Sequence, residues 1–130
     1  NNCGIVSYSP MESGLLTNKT TPEWIDALPE TDWRQHKPDH PVARNIHPPR
    51  REHYLKFLEV LNAIASASGH TIAQLAVAWT LRRPEITSAI VGARRPGQIA
   101  ETVRAGEWTL AQEELDAIQT ALTEFTAVIG

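Results

Sequence analysis

Two short apolar runs stand out along the chain, one near its start and one near residue 90. Residues 4–9 (GIVSYS) favour β-structure and end before Pro10, which cannot donate a hydrogen bond to a neighbouring strand. Residues 86–91 (ITSAIV) have the same character and end before Gly92. Both runs are apolar on both faces, which is typical of parallel strands covered by helices. The pattern therefore predicts two buried parallel strands, at about 4–9 and 86–91.

Apolar residues at helical spacing predict four helices, two between the strands and two after them. In the first helix they recur from Tyr54 to Ala65, and Gly69 follows where a C-terminal cap belongs. The second helix opens on Thr71 and Gln74, which have the spacing of a capping box. The four predicted helices span about 51–68, 72–82, 96–105 and 110–124.

The starts of the last two helices are also predicted from local signals. Pro96 stands where a proline favours the first turn of a helix, and Gly106 would end that helix. Thr109 and Gln112 repeat the spacing of a capping box at the start of the last helix. The order of elements is strand, long segment, two helices, strand and two helices, which indicates an α/β fold.

The long segment, residues 12–50, shows no sustained period. Trp24 and Trp33 lie within it and favour a packed lid, with short helical turns, over a disordered tail. Segments of this length in compact domains are usually lids or disordered regions. Its six prolines are Pro22, Pro29, Pro38, Pro41, Pro48 and Pro49.

Length and composition fit one domain, since 130 residues with 42% hydrophobic side chains can bury a core. The net charge of -3 argues against a general nucleic-acid or anionic-membrane binder. The single cysteine, Cys3, cannot form an internal disulfide and is predicted to be a small buried residue. Because no leader or long apolar run is visible, we expect a cytoplasmic protein. The chain opens at Asn1 without a methionine, so we expect it to be cut from a longer one.

Two strands are too few for a stable sheet, because their outer edges and apolar faces would meet water. The missing strands must come from elsewhere. We therefore expect a homo-oligomer or a partner chain that covers the open strands.

Two loops follow the strands, and ligands bind at such loops in βα architectures. In the second loop, residues 91–98, Gly92 permits close backbone approach while Arg94 and Arg95 supply positive charge. With the N-terminus of the next helix, these residues suit a phosphate. An alternative reading is that the two arginines are a solvated pair near a helix start.

The first loop, residues 9–16, begins directly after Tyr8, whose flat ring could stack on a ligand. Ser9, Ser13 and Gly14 offer hydroxyl and backbone donors. An alternative interpretation needs no ligand: Tyr8 would be an ordinary packed tyrosine, and the two serines would only form the turn. A ligand with both a planar ring and phosphates would satisfy the two loops together.

Residues 8–16 (YSPMESGLL) and 73–102 (AQLAVAWTLRRPEITSAIVGARRPGQIAET) together resemble the C-terminal part of the aldo-keto reductase family. The resemblance implies a C-terminal fragment of a (β/α)8 barrel, so residues 1–130 would be a single incomplete domain. Residues 4–9 and 86–91 would be its seventh and eighth strands. The family's NADPH-dependent members transfer a hydride to a carbonyl substrate, and their catalytic Asp, Tyr, Lys and His lie on earlier strands. The fragment alone is therefore expected to be inactive, with no catalytic residue of its own.

By the same resemblance, Tyr8 would stack on the nicotinamide and the first loop would cover the pyrophosphate. Arg94 is the expected contact to the 2′-phosphate, which favours NADPH over NADH. Met11 stands where leucine is commoner in the family, and Thr102 stands where the family pattern often has asparagine. The implied cofactor-binding residues are Tyr8, Ser9, Met11, Ser13, Gly14, Leu15, Gly92, Arg94, Gln98, Glu101 and Thr102.

Three other readings compete with a reductase fragment. A metal site is disfavoured, because the histidines in and near the long segment have no defined helical spacing (His36, His40, His47 and His53). The two helices around Gly69 have the outline of a helix-turn-helix DNA-binding module, but residues 72–80 carry no basic side chain. The third alternative is a non-catalytic barrel fragment that assembles with itself through its exposed strands.

Overall fold

The structure, a computed structural model, describes residues 3–129. Its sheet has two parallel strands, β1 (Ile5–Tyr8) and β2 (Ile86–Ile90). The register pairs Tyr8 with Ile90, and an irregularity lies between Ile5 and Val6. The two predicted strands and their parallel direction are confirmed, with ends within one residue of the prediction.

Six α-helices accompany this sheet in the described part of the chain. Four lie between the strands and two follow β2, so the predicted order of elements is confirmed. The long segment contains two short helices, and its predicted helical turns are therefore present. The helices are α1 (Pro22–Asp26), α2 (Trp33–His36), α3 (Arg51–Ala67), α4 (Ile72–Leu81), α5 (Gln98–Val103) and α6 (Gln112–Ile129). Short 3-10 helices cover Glu12–Gly14, Ala43–Ile46 and Arg104–Glu107.

The core is built mainly by α3, α4 and α6. Tyr54 and Phe57 of α3 meet Phe125 of α6, with the two phenylalanine rings stacked at 5.1 Å between centroids. The long segment adds buried side chains to the same core, and Trp24 packs against it. The segment is therefore packed onto the helices, as its tryptophans predicted. Its buried apolar contributions are Leu15, Ile25, Ala43 and Ile46.

The junction between α3 and α4 follows the sequence signals closely. Gly69 has a φ of 72°, and the N–H of His70 donates to the carbonyl of Ala65 at 2.9 Å. This left-handed turn ends α3 as predicted. At the start of α4, the hydroxyl of Thr71 accepts from the N–H of Gln74 at 3.3 Å, and the Gln74 side chain accepts from the N–H of Thr71 at 3.0 Å. The predicted capping box is confirmed.

The starts of α5 and α6 differ from the prediction. Helix α5 begins at Gln98 after Gly97, whose φ of 81° separates Pro96 from the helix. Helix α6 begins at Gln112, and the carboxylate of Glu114 accepts from the N–H of Ala111 at 2.7 Å. Thr109 and Gln112 therefore do not form a capping box. A charged acceptor in the first turn also interacts favourably with the helix dipole.

Removing the Thr71 hydroxyl should destabilise the chain, because the N–H of Gln74 at the start of α4 would lose its acceptor. We expect Thr71→Ala to lower the free energy of unfolding by about 1 kcal/mol. Thr109→Ala is the matched control, since the same change at a threonine outside any helix should have a much smaller effect. Urea unfolding of both variants measures the difference. Equal losses would contradict the assignment of the cap to Thr71.

The prediction that the strands are buried is wrong for this chain. Ile5 and Val6 are more than half exposed, and Tyr8 is 81% exposed. Cys3, predicted to be buried, is also exposed. Helix α4 packs against β2, but within residues 3–129 each strand has only the other as a neighbour, so the outer edges are uncovered. Burial of these apolar side chains needs further strands.

Membrane insertion has no candidate segment in the described residues. No helix between residues 3 and 129 combines the length and the apolar character that crossing a bilayer requires.

Candidate functional site

The two loops leave the sheet at the same edge. Because β1 and β2 are parallel and Tyr8 pairs with Ile90, the first loop and the second loop begin side by side. The structure therefore brings together the two loops that the sequence predicted as a ligand site.

Tyr8 forms the sheet edge of this site. It is the last residue of β1, and its side chain is largely exposed. A ring in this position presents an aromatic surface directly beside the first loop, which suits stacking on a flat ligand ring.

The first loop has an unusual backbone. Ser9, Glu12 and Ser13 have φ values of 53°, 48° and 55°, in the left-handed region that residues other than glycine rarely adopt. Gly14 follows with a φ of 88°. Each non-glycine residue held in this region costs about 1–2 kcal/mol, so the surrounding structure must hold the loop in place.

Side chains from outside the loop supply that support. The Tyr54 hydroxyl donates to Oε2 of Glu12 at 3.2 Å, and Nη1 of Arg34 donates to the carbonyl of Ser13 at 3.2 Å. The hydroxyl of Thr17 donates to the carbonyl of Gly14 at 2.9 Å. The first loop is therefore tied to α3 by one side chain and to α2 by another.

The Glu12 carboxyl is buried where it meets Tyr54, and burial disfavours its charged form. Burial raises the pKa of the Glu12 carboxyl, and the hydrogen bond from Tyr54 and the positive charge of Arg44 only partly oppose this rise. The same burial, together with the Glu12 charge, raises the pKa of Tyr54 well above its ordinary range. Tyr54 therefore keeps its proton and acts as a hydrogen-bond donor to Glu12.

This raised pKa predicts a pH-dependent stability. A carboxyl whose pKa is higher in the folded protein favours folding at low pH, and its contribution is lost as pH rises through the folded value. Glu12→Gln removes this titration while keeping an oxygen that can accept from Tyr54. We expect its stability relative to the parent to increase as pH rises above 4.5, the ordinary value for glutamate.

Urea unfolding at several pH values measures this relative stability. Glu59→Gln, which changes an exposed carboxylate on α3, serves as the control. A pH dependence of the Glu12→Gln difference that matches the Glu59→Gln control would contradict the role of burial.

The second loop is fixed by α5. The N–H of Arg94 donates to Oε1 of Gln98 at 2.9 Å, and the hydroxyl of Thr102 donates to the Gln98 carbonyl at 2.6 Å. The Gln74 side chain of α4 donates to the carbonyl of Glu101 at 2.7 Å. Hydrogen bonds with α5 and α4 thus hold the backbone of the second loop and of α5, while the Arg94 side chain remains exposed.

Most of the predicted site residues lie on the two loops, but two of their side chains face inwards. Leu15 is 0% exposed and its side chain belongs to the core, so only its backbone faces the first loop, and its place in the cofactor site stays a prediction. The side chain of a residue beside a turn can point towards solvent or towards the core, and that of Leu15 points towards the core. Thr102 is buried, and its hydroxyl is used within α5. Tyr8, Ser13, Gly92, Arg94 and Glu101 are exposed, and Ser9, Met11, Gly14 and Gln98 are partly exposed.

Sequence reasoning missed Arg34 and Asp32. The Asp32 side chain accepts from the N–H of Arg34 at 3.0 Å and caps α2, a role that an aspartate before a short helix could have suggested. No sequence signal links Arg34 to Ser13, since the contact spans a large separation along the chain.

The helix-turn-helix alternative is wrong. A recognition helix must expose one face to the DNA groove, whereas most of α4 is buried in this chain. The described residues also contain no cluster of three metal-ligating side chains. The remaining candidate chemistry is that of the two loops.

Comparisons with known proteins identify the family of this chain. A family model described as "Aldo/keto reductase family" matches residues 1–123. An L-glyceraldehyde 3-phosphate reductase from Escherichia coli O157:H7 is 34% identical over 119 residues, which cover 91% of this chain and 33% of that protein. An NADH-specific methylglyoxal reductase from Escherichia coli K12 is 29% identical and is covered over 33% of its length, against 86% of this chain. The chain therefore spans about a third of the length of the curated relatives it matches.

A solved structure supports the same fold. The glycerol dehydrogenase of Gluconobacter oxydans superposes with a TM-score of 0.80 at 27% sequence identity. The match covers 95% of this chain and 35% of that one. The predicted fold, a partial (β/α)8 barrel, is therefore confirmed.

Proposed function

Because this chain belongs to the aldo/keto reductase family, we propose that it is the NADPH-binding C-terminal portion of an oxidoreductase that reduces carbonyl compounds. The observation that carries the proposal is the pairing of β1 with β2, which brings the first loop and the second loop to one edge. An exposed aromatic ring and an exposed arginine then flank the same site. A nicotinamide dinucleotide has both a planar ring and phosphates.

The residues of the site fit such a cofactor. The Tyr8 ring is exposed for stacking, and a Cβ added at Gly92 would meet no atom within 4 Å, so the backbone there is open to a ligand. Arg94 is exposed, and its guanidinium suits a phosphate because its donors match phosphate oxygens. Among the described residues, neither ion pair involves Arg94.

Each part of the site has a distinct role in this proposal. Tyr8 would orient the nicotinamide ring, the first loop would hold the pyrophosphate, and Arg94 would hold the 2′-phosphate. When bound, the reduced nicotinamide would supply the hydride that reduces a carbonyl carbon. Two relatives bear the names of reductases of small carbonyl compounds, which suggests a small carbonyl substrate here.

The proton that completes carbonyl reduction must come from outside this chain. Tyr8 has no lysine beside it in β1, and a tyrosine that acts as a general acid needs such a neighbour. Tyr54 is buried, and the pKa of its hydroxyl is raised, so it holds its proton too tightly to serve. By the family resemblance, the catalytic group would belong to the earlier strands of a complete barrel.

Because the sheet has uncovered edges, we propose that carbonyl reduction requires further strands beside β1 and β2. The six preceding strand–helix units of a relative would cover the free edges of the sheet. We call the fusion of those six units to this chain the completed barrel. A homo-oligomer is the second candidate, favoured by the exposed apolar residues of β1. The experiment that tests the proposed function compares NADPH binding and carbonyl reduction by the chain alone and by the completed barrel. Failure of the completed barrel to bind NADPH would contradict it.

A cytoplasmic location belongs to the same proposal. A single cysteine that has no partner in the sequence suits a reducing compartment. Nicotinamide-dependent reduction of small carbonyl compounds is compatible with that setting.

A further inference from the structure

Arg34 is a buried charge beside the first loop, and each of its three guanidinium nitrogens donates a hydrogen bond. Its Nε and Nη2 atoms donate to the two oxygens of the Asp32 carboxylate at 2.9 and 2.6 Å. The third guanidinium nitrogen, Nη1, donates to the carbonyl of Ser13 at 3.2 Å. Only 9% of the residue is exposed. One guanidinium therefore joins α2 to the first loop.

The position of Arg34 is itself fixed by neighbouring groups. The ring of Trp24 lies under the guanidinium, 4.9 Å from its carbon to the ring centroid, and Nε2 of His47 lies 2.7 Å from the Arg34 carbonyl. The hydrogen bonds from Arg34 lower the pKa of Asp32 to about 2, so this partner remains charged at neutral pH. The guanidinium is therefore held before any ligand arrives.

Arg34 acts on the strained part of the first loop. Ser13 has a φ of 55°, and its carbonyl is the group that Nη1 binds. Nη1 would also lie 3.9 Å from a Cβ added at Gly14, so the guanidinium lies directly beside both residues. Strained backbone persists only where surrounding groups over-determine it. The hydrogen bond from Arg34 is one of those groups.

We propose that Arg34 is a positioning residue that, with Asp32, holds the first loop in the shape that receives the cofactor pyrophosphate. The inference rests on the proposed function. It adds a residue of the long segment to a site otherwise built from the strand ends. Holding the loop before binding removes an ordering cost that the cofactor would otherwise meet.

Lysine tests this role because it keeps the charge but not the planar fork. A single ammonium group on a shorter reach cannot bind both Asp32 oxygens and the Ser13 carbonyl in the present geometry. In the completed barrel, we expect Arg34→Lys to raise the Kd for NADPH about tenfold, with the number of binding sites unchanged. Loss of folded protein would instead reduce the number of sites and leave the Kd of the remainder as it was.

Arg51→Lys is a closely matched control. Arg51 also binds an aspartate and a backbone carbonyl, Oδ1 of Asp26 at 2.7 Å and the oxygen of Pro22 at 3.1 Å, but these partners belong to α1 and not to the first loop. We expect its Kd for NADPH to stay within about twofold of the parent. Equal Kd values for the parent and Arg34→Lys would overturn the role of Arg34. Failure of the parent completed barrel to bind NADPH would overturn the proposed function itself.

A second variant and a second measurement cover the case in which Arg34→Lys fails to fold. Asp32→Asn keeps an oxygen that can cap α2 but removes one acceptor of the guanidinium fork. We expect its NADPH Kd to rise in the same direction. Hydrogen exchange of the chain without cofactor should be faster in residues 9–16 of this variant than in the parent. Unchanged exchange together with an unchanged Kd would overturn the proposal.

Discussion

Replacing Arg94 by alanine in the completed barrel should weaken NADPH binding about thirtyfold, while NADH binding changes less than about threefold. The two cofactors differ only in the 2′-phosphate, and a hydrogen bond to a charged group contributes about 1.5–3 kcal/mol. Arg94 is exposed at the edge where both loops begin, and α5 holds its backbone through Gln98. The substitution therefore removes the charge without removing the bond that shapes the loop.

Titration of both nucleotides against both proteins measures the difference. Arg95→Ala provides the control, because it removes an equal charge from the next residue of the second loop. If the loss reflected only the general positive potential of the loop, the two variants would weaken NADPH equally. Equal weakening of NADPH and NADH by Arg94→Ala would remove the 2′-phosphate assignment. That outcome would fit a cofactor choice like that of the relative named as NADH-specific.

The second large effect concerns turnover. We expect the completed barrel to reduce a small carbonyl substrate at least about 10²–10⁴ times faster than the chain alone, the range that a positioned general acid contributes. In the proposed function the chain contributes residues to the cofactor site, whereas its two tyrosines are unsuited to proton donation. Tyr8 lacks a neighbouring lysine in β1, and Tyr54 is buried against Glu12.

The consumption of NADPH in the presence of the carbonyl substrate measures this turnover. The informative control is a completed barrel whose catalytic tyrosine, in the added units, is changed to phenylalanine. This protein should bind NADPH normally but turn over slowly. Carbonyl reduction by the chain alone would show that a proton donor is present in it and would contradict the assignment of that role to the missing strands.

Much of the fold could be predicted because its signals are local. The helical spacing of Tyr54, Phe57 and Leu61 and the capping pair of Thr71 and Gln74 depend only on neighbours in sequence, and they located α3 and α4 to within a residue. The starts of α5 and α6 were misplaced because competing local signals exist. The left-handed conformation of Gly97 sets the start of α5 in place of Pro96, and the Glu114 carboxylate caps α6 in place of Thr109.

The candidate site was likewise predictable only where its signals are local in sequence. The pattern of apolar runs indicated which loops would meet, because the ends of parallel strands share an edge. It could not show that Leu15 points into the core or that Arg34 binds Ser13, because each contact depends on the packing of the long segment. The burial of β1 was wrongly predicted for a different reason. Apolar side chains indicate that a strand is stable when buried, but they do not show whether this chain supplies the elements that would bury it.

The pairing of β1 with β2 also bears on the order of folding. Ile5 pairs with Ile86, so most of the chain must close into one loop before the sheet gains any hydrogen bond. Helices α3 and α4 adjoin in sequence, and contacts between such neighbours form with little loop entropy. On this topology the helical layer comes first and the strands are late partners. The two loops of the candidate site then become neighbours only when contacts between residues as far apart in sequence as Ile5 and Ile86 are made.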